Sequence, residues 1–260
     1  MRIAICVKHV PMDGNVEVDP VTHKILRENT ECDINSCDLN AMQMAAELKK
    51  STGATIDVFT MGADMASYSL KKCMALGADN AFLVTDRKFA GSDTLGTARV
   101  LAGALAKVGS YDVVFCGSES SDGATGQVGP MLAEALQMAD IPECVSAQAA
   151  EDGALLVKQK IDGGNLTLKV KTPVLLAVPF GCNEPARPTI RLQMQANKRP
   201  IISFSQAELA LDEARIGMNA ALSIVTDVVE ADKKQSATLL EGDAATVAAQ
   251  IKNLLEQRRG

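Results

Sequence analysis

The sequence contains no tryptophan, and aromatic residues make up only 3% of its 260 residues. Because proteins hold single-stranded nucleic acid largely by stacking its bases on aromatic side chains, this composition argues against that class. The net charge of -6 argues equally against binding through phosphate contacts. No apolar run reaches the roughly 18 residues that span a membrane, and the apolar part of the opening MRIAICVKHV is too short for a signal peptide. We therefore expect a cytoplasmic protein that neither binds nucleic acid nor inserts into a membrane.

The seven cysteines show neither paired spacing nor a CxxC motif, and the only histidines are His9 and His23. An odd set of unpaired cysteines is typical of reduced thiols in the cytoplasm. No ligand set for zinc is evident. No nucleophile stands beside a base either, so we predict no catalytic residue and no metal site.

Strand and helix patterns alternate four times within the first 138 residues. Apolar runs predict strands at residues 3–7, 55–61, 81–84 and 112–116, and helical periodicity predicts helices at 38–50, 64–76, 92–108 and 125–138. Asp38 and either Ser92 or Asp93 are N-cap candidates, and Gly53 and Gly77 end the first two helices. This alternation predicts an α/β fold with a mostly parallel sheet flanked by helices. Ligands of such sheets bind at the carboxyl ends of the strands.

Residues 111–136, YDVVFCGSESSDGATGQVGPMLAEAL, combine a predicted strand, a Gly-rich loop and a predicted helix. Free N–H groups and the positive end of the dipole at a helix start attract phosphate. Glycine allows close approach of the backbone to a ligand or a positive φ angle. The stretch contains neither GxxxxGK[ST] nor GxGxxG, so it is neither a Walker loop nor the usual dinucleotide fingerprint. We interpret it as the phosphate-binding part of a nucleotide site, the alternative being a Gly-rich turn without a bound anion.

The second half of the sequence has a different pattern. Alternating runs at 154–161 and 165–170, joined by DGG, predict a β-hairpin. Residues 181–200 are rich in proline and basic side chains and predict an exposed loop whose apolar residues form a contact surface. From Leu211 the sequence is typical of a linker, followed by an amphipathic helix at 243–257 that needs a partner surface. We therefore divide the chain into an α/β nucleotide-binding domain, 1–210, which includes hairpin 154–171 and partner loop 181–200, and a linker with a C-terminal arm, 211–260.

Several segments, in this order, resemble one family. They are IAICVKHVP, VEVDPVTHKILRE, INSCDLNAMQMAAELK, CMALGAD, DGATGQVGPMLAEAL, KQKIDGG, CNEPARPT and MQANKRP. Together they make the chain similar to the β subunit of electron transfer flavoproteins. The resemblance implies an adenine-nucleotide α-hydrolase-like fold and a heterodimer with an α subunit that carries a redox-active FAD, on which the C-terminal arm would pack.

The resemblance also implies a nucleotide in this subunit, which is structural AMP in ordinary members. In electron-bifurcating members it is a second FAD that accepts hydride from NADH. Electrons then go to an acyl-CoA dehydrogenase or other flavin dehydrogenase and to ferredoxin or flavodoxin. The stretches VDPVTHKILRE and SDTLGTARVLA resemble the bifurcating type, whose pattern beside the extra flavin is matched by Asp93, Thr94 and Thr97. A simple helix N-cap is the alternative interpretation of these three residues.

Matching the family motif residue by residue gives the expected site. The adenine and ribose region would involve Cys6, Asn35, Asp38 and Met61. The phosphates would meet Gly117, Ser118, Asp122, Gly123, Ala124, Thr125, Gly126, Gln127 and Val128. Ser36 stands where the family commonly has proline, which makes the local turn less rigid. Ile190, with Leu192 beside it, falls where the family places an apolar anchor for a dehydrogenase, and ordinary loop packing is the alternative.

Three other functions remain open at this point. A conventional electron transfer flavoprotein β subunit would hold AMP and pass electrons between a dehydrogenase and a quinone-side acceptor. A regulatory module of the universal-stress type would share the sheet architecture but leave the basic loop and the arm without a role. An ATP-dependent hydrolase or ligase lacks a recognisable metal or lysine set.

Overall fold

The computed structural model describes residues 1–12, 31–224, 226 and 239–257. It contains two compact units, Met1–Thr226 and Asp227–Gly260. The segment at residues 16–28, which carries part of the family resemblance, lies outside the described residues.

The described strands, in chain order, are β1 (Arg2–Cys6), β2 (His9–Pro11), β3 (Cys32–Ile34), β4 (Thr55–Met61), β5 (Asn80–Val84), β6 (Val113–Gly117), β7 (Ala139–Ile141), β8 (Cys144–Ala149), β9 (Leu155–Ile161), β10 (Gly164–Val170), β11 (Val174–Val178) and β12 (Ile202–Phe204). The described α-helices are α1 (Ser36–Thr52), α2 (Ser67–Leu76), α3 (Thr94–Val108), α4 (Val128–Ala135), α5 (Ile190–Asn197), α6 (Gln206–Leu209) and α7 (Ala244–Gln257).

Seven of these strands form one sheet in the order β12-β5-β4-β1-β6-β11-β7, and every pairing in it is parallel. Successive residues of β1 alternate between two cores, with Ile3 and Ile5 on one face of the sheet and Ala4 and Cys6 on the other. Helices α1 and α2 cover the first face and α3 and α4 the second. Burying an aliphatic side chain of this size stabilises a fold by about 1.5–3 kcal/mol. The predicted α/β architecture is therefore confirmed.

Helix α1 begins differently from the prediction. Asn35 holds the N-cap position, without a side-chain cap bond, and Asp38 is a buried residue of the first turn. The carboxylate of Asp38 instead accepts hydrogen bonds from backbone amides outside the helix. The predicted end is correct, since Gly53 follows the helix in the left-handed conformation.

The predicted hairpin forms, with β9 and β10 paired antiparallel. Strand β8, which the sequence pattern did not reveal, extends this hairpin into a second sheet of order β10-β9-β8. The short strands β7 and β12, at the two edges of the main sheet, were also missed. Each of them has only three residues, too few for a periodic signal.

The segment 181–200 is not a continuous loop, as expected, because residues 190–197 form helix α5. The hydroxyl of Thr189 accepts a hydrogen bond from the Leu192 amide and so caps this helix. The expected exposure is correct, since 82% of Ile190, 44% of Leu192 and 59% of Met194 are open to solvent.

Residues 211–222 do not behave as the expected linker, since they pack along α3. Ile216 is buried, the Gly217 amide donates to Ser92 Oγ (3.0 Å), and the Leu222 amide donates to Asp93 Oδ2 (2.8 Å). A close approach explains Gly217, where an added Cβ would lie 2.2 Å from the carbonyl oxygen of Lys88. In the second unit, the predicted C-terminal helix is α7, and no residue of it is buried.

Candidate nucleotide-binding site

The strand order creates a crevice beside the carboxyl ends of β1 and β6. The chain runs from β1 through β4 to β5 on one side, and then crosses through α3 to β6 on the other side of β1. Such a reversal of direction is where open parallel sheets bind ligands. The segments that leave β1 and β6 at this point are Val7–Lys8 and residues 118–127. The predicted phosphate loop therefore lies at the switch point of the sheet.

Asp38 joins the ends of these two strands. Its Oδ2 accepts the backbone amide of Lys8 at 2.7 Å, and its Oδ1 accepts the amide of Gly117 at 2.8 Å. Only 5% of the residue is exposed. Burial raises the pKa of Asp38 to about 7, although the two amides, the Asn35 side chain and the charge of Lys8 all favour the ionised form.

Asn35 holds the first part of the loop. Its Nδ2 donates to the carbonyl of Glu119 at 2.8 Å, and its Oδ1 accepts the amide of Ser121 at 3.2 Å. The residue is 2% exposed, so these bonds form in a region from which water is excluded. Asn35 and Asp38, both predicted as nucleotide contacts, thus form hydrogen bonds with the protein backbone. Both residues therefore hold backbone at the base of the loop, and their contact with a nucleotide stays a prediction.

Lys8 is a site residue that the sequence reasoning missed. Its Nζ lies 2.6 Å from Asp122 Oδ1 and 3.2 Å from Ser120 Oγ, while 45% of its side chain remains exposed. It therefore brings a cation into contact with the Gly-rich loop. The sequence signal that could have revealed Lys8 is its position directly after the first strand, at the carboxyl end of the sheet.

The loop itself is open to solvent between Ser121 and Gln127. Ala124 and Gly126 have positive φ angles of 47° and 63°, and the Ala124 amide donates to the carbonyl of Ser120 at 2.7 Å. Helix α4 begins at Val128 and not at Thr125 as predicted. The extra residues therefore belong to the loop and leave its backbone accessible to a ligand.

Two of the glycines were expected to let a ligand approach the backbone. In the structure they instead allow other parts of the protein to pack closely. A Cβ on Gly117 would lie 2.4 Å from Asp38 Oδ1 and 2.6 Å from Cys37 Cβ. A Cβ on Gly129 would lie 3.2 Å from Cys116 Sγ. These positions are glycine because α1 and β6 press against the backbone, whereas Gly126 is the one whose conformation itself favours glycine.

The start of α3 lies against the start of α4. The hydroxyl of Thr94 donates to Gln127 Oε1 at 2.9 Å, and Thr97 is half-buried one turn later. Asp93 caps the helix by accepting the Gly96 amide at 2.8 Å, and its other oxygen accepts the amide of Leu222. The carboxylate of Asp93 is therefore bonded within the protein, while Thr94 contacts the end of the loop.

The two remaining predicted residues lie at neighbouring strand ends. Cys6 is buried at the end of β1, and burial raises the pKa of its thiol to about 12, so the thiol is neutral. Met61 is half-buried at the end of β4, next to Val84 of β5. Both residues therefore lie at the carboxyl end of the sheet, and their contact with a nucleotide stays a prediction.

A cleft of about 430 Å³ opens on the other side of β6, between the ends of β6, β7 and β11. Ser118, Glu119 and Gly126 of the loop line one wall of this cleft, and Asp140 and Phe180 are among the residues opposite. The hydroxyl of Ser118 is buried without a hydrogen-bond partner among the described residues. A buried polar atom of this kind is a site at which a ligand atom or a water molecule forms the missing bond.

Two further properties of the described residues concern metal sites and membrane-spanning helices. Across the described ranges, no group of three or more His, Cys, Asp or Glu side chains is arranged to hold a metal ion. Within the same part of the chain, no helix is long and apolar enough to span a membrane.

Comparison with known proteins identifies the family. The family described as "Electron transfer flavoprotein domain" matches residues 22–209. The electron transfer flavoprotein subunit beta of Thermoanaerobacterium thermosaccharolyticum is 34% identical over 260 residues, covering 99% of this chain and 97% of the relative. The subunit of the same name from Megasphaera elsdenii is 33% identical, with the same coverage. Subunit CarD of the caffeyl-CoA reductase-Etf complex of Acetobacterium woodii is 34% identical, covering 85% of this chain and 84% of the relative. The chain therefore belongs to the electron transfer flavoprotein family as a β subunit, which pairs with an α subunit and works in electron transfer.

Proposed function

We propose that this β subunit holds an FAD at the carboxyl edge of its sheet. Together with the α subunit, it would take hydride from NADH and divide the electron pair between a flavin dehydrogenase and a low-potential acceptor such as ferredoxin or flavodoxin. A bound flavin would supply the chemistry of accepting an electron pair and releasing single electrons. The protein's own residues bind it, orient it and exclude water.

The observation that carries the nucleotide part is the loop at the switch point of the sheet. Its exposed backbone, the positive φ angles of Ala124 and Gly126, and the Lys8 ammonium above it suit a phosphate group. The unpartnered Ser118 hydroxyl adds a polar group that a ligand oxygen would satisfy. Asn35 and Asp38 keep this loop in place from below.

The start of α3 supports FAD over AMP. Since Thr94 bonds to Gln127, the Thr94–Thr97 turn lies next to the phosphate loop, where a ligand that extends beyond its phosphates would meet hydroxyl groups. AMP ends at its phosphate and would leave this turn without a ligand contact. The Acetobacterium woodii relative, named as a subunit of a caffeyl-CoA reductase-Etf complex, points to a reductase as partner.

Helix α5 supports the dehydrogenase part of the proposal. Ile190 and Leu192 present apolar surface to solvent at the start of this helix. An exposed apolar group of this kind, next to a rigid helix turn, is suited to insert into a pocket of a partner protein.

The alternative is a conventional β subunit that holds structural AMP. In this case the same loop would bind the AMP phosphate and the threonines of α3 would serve only the helix start. Co-expression of the chain with its α subunit, followed by quantification of FAD and AMP per heterodimer, separates the two. Two FAD with bleaching of flavin absorbance by NADH supports the proposal, whereas one FAD with one AMP and no bleaching leaves the conventional role.

A further inference from the structure

We propose that Asp38 is a positioning residue of the nucleotide site, whose carboxylate joins β1 and β6 to the first turn of α1 and thereby sets the phosphate loop. This inference rests on the nucleotide site of the proposed function and names one residue that controls the position of its loop. The geometry is a three-way junction, in which the acceptor belongs to α1 and the two donors are the amides of Lys8 and Gly117. Lys8 carries the ammonium above the loop, and Gly117 is the residue from which the loop departs.

The junction needs a carboxylate and not merely a polar side chain. Both donors are backbone N–H groups, so both oxygens of residue 38 must act as acceptors. An asparagine of the same shape would turn an NH₂ group toward one of the two amides and lose that bond. A protonated aspartic acid is also a poorer partner, because the oxygen that carries the proton accepts a hydrogen bond less strongly than a carboxylate oxygen does.

Protonation of Asp38 therefore couples nucleotide binding to pH. Burial raises the pKa of Asp38 to about 7, so the carboxylate becomes protonated as the pH falls through neutrality. If binding requires the ionised form, the apparent affinity falls about tenfold for each pH unit below that pKa. The affinity for AMP should then be about tenfold weaker near pH 6 than near pH 8.

Stability should respond to pH in the opposite direction. The pKa of Asp38 in the folded state is raised above its ordinary value of 3.8. The folded protein then holds a proton that the unfolded chain has released, so this group makes the fold less stable as pH rises from about 4 to about 7. As the pH rises towards 7, ionisation of Asp38 should therefore increase nucleotide affinity and decrease the free energy of unfolding. A residue with a purely structural role would not produce these two opposite trends.

Few other charged or titratable groups of the described residues lie near Asp38. Lys8 lies at the end of β1, and the thiols that face the carboxylate are Cys6 on β1, Cys37 on α1, Cys73 on α2 and Cys116 on β6. Burial raises the pKa of each of these thiols above the ordinary value, so they stay neutral from pH 6 to pH 8. Glu119, in the loop, faces Cys37. His9, whose Nδ1 lies 2.8 Å from Ser69 Oγ, follows Lys8 in the chain and is of a type that changes charge in this range.

The test uses the heterodimer freed of nucleotide, with AMP as the probe and calorimetric titration from pH 6 to pH 8.5. The phosphate of AMP has its own ionisation near pH 6, so the slope of each variant is compared with that of Asp38→Asn. We expect Asp38→Asn to bind AMP at least tenfold more weakly at pH 8 and to lose the additional slope. His9→Gln should keep the slope of the wild type.

Asp57→Asn is the matched control, since Asp57 is an equally buried aspartate at the other end of the sheet. It should change the melting temperature but keep the wild-type affinity and slope. Equal affinity and equal slope in Asp38→Asn and the wild type would overturn the inference while leaving the nucleotide site intact. Failure of the wild type to bind either AMP or FAD at any pH would instead refute the nucleotide site of the proposed function.

Discussion

Among the described residues, Asp57 and Asp38 are buried aspartates near opposite ends of the parallel sheet, and their hydrogen bonds differ. At the amino edge, Asp57 is 1% exposed and accepts side-chain hydrogen bonds from Arg2 (2.8 Å), Asn80 (2.7 Å) and Tyr111 (2.8 Å). At the carboxyl edge, Asp38 accepts two backbone amides and supports a loop that stays open to solvent.

The difference shows that the amino ends of the strands serve stability, whereas the carboxyl ends serve binding. At the amino edge the Arg2 guanidinium also lies 4.7 Å from the centre of the Tyr111 ring, so the side chains there satisfy one another. Burial and the hydrogen bond to Asp57 hold the pKa of Tyr111 well above its usual range, so the tyrosine stays a donor. At the carboxyl edge, the Ser118 hydroxyl and the exposed loop keep hydrogen-bonding capacity available for a ligand.

The largest expected effect on stability is that of Asp57→Ala. The buried Tyr111 hydroxyl and the Asn80 amide would lose their acceptor, while the part-exposed Arg2 could turn to water, so we expect a loss of about 3 kcal/mol. Urea unfolding of the heterodimer at fixed protein concentration measures it. Asp112→Ala, which removes one bond to the Arg2 amide, should cost about 1 kcal/mol. Loss of nucleotide from folded Asp57→Ala protein would contradict the division between the edges.

Gly126→Val should have the largest effect on the nucleotide. A β-branched side chain at φ 63° would strain the loop by about 1–2 kcal/mol and project into the space for the phosphates. We expect the purified heterodimer to lose the nucleotide of the β subunit and keep that of the α subunit.

Gly153→Val is the control for this change. Gly153 has φ 79° in an exposed turn, and an added Cβ would meet nothing within 4 Å. The backbone strain is therefore similar, but nucleotide content should stay at the wild-type level. If both variants retain their nucleotide, the placement of the site is wrong.

Lys8→Met should have a moderate effect on binding and a small effect on stability. The ion pair with Asp122 is half-exposed on the lysine side, so its loss should change the free energy of unfolding by less than about 1 kcal/mol. Removing the cation above the loop should still weaken AMP binding about fivefold to tenfold. Lys49→Met, which removes the 2.6 Å ion pair with Asp79 at the amino edge, should leave AMP affinity unchanged.

Ile190→Ala should have the smallest effect on stability, because this side chain lies at neither end of the sheet and is 82% exposed. We expect a change within about 0.5 kcal/mol. Electron transfer to the dehydrogenase partner should nevertheless slow, as measured by stopped-flow reduction of the heterodimer. Ile161→Ala, on the hairpin and 48% exposed, is the comparison. Equal rates in both variants would remove Ile190 from the partner surface.

The sequence was sufficient to predict β1, β4, β5 and β6 of the main sheet and the position of the loop. Long apolar strands and helices ended by Gly53 and Gly77 carry strong local signals. The roles of Lys8, Asn35 and Asp38 could not be predicted, since their partners lie as far as residues 117–122 along the chain. The packing along α3 after residue 211 was missed for the same reason, because a buried Ile216 in a polar stretch has no periodicity.

The number of adenine nucleotides per wild-type heterodimer tests the central claim most directly. Denaturing the complex and quantifying released FAD and AMP by chromatography gives this number without assuming which nucleotide is bound. We predict two per heterodimer, one in the α subunit and one at the carboxyl edge described above. A value of one would contradict the account, because the loop between β6 and α4 would then hold no nucleotide.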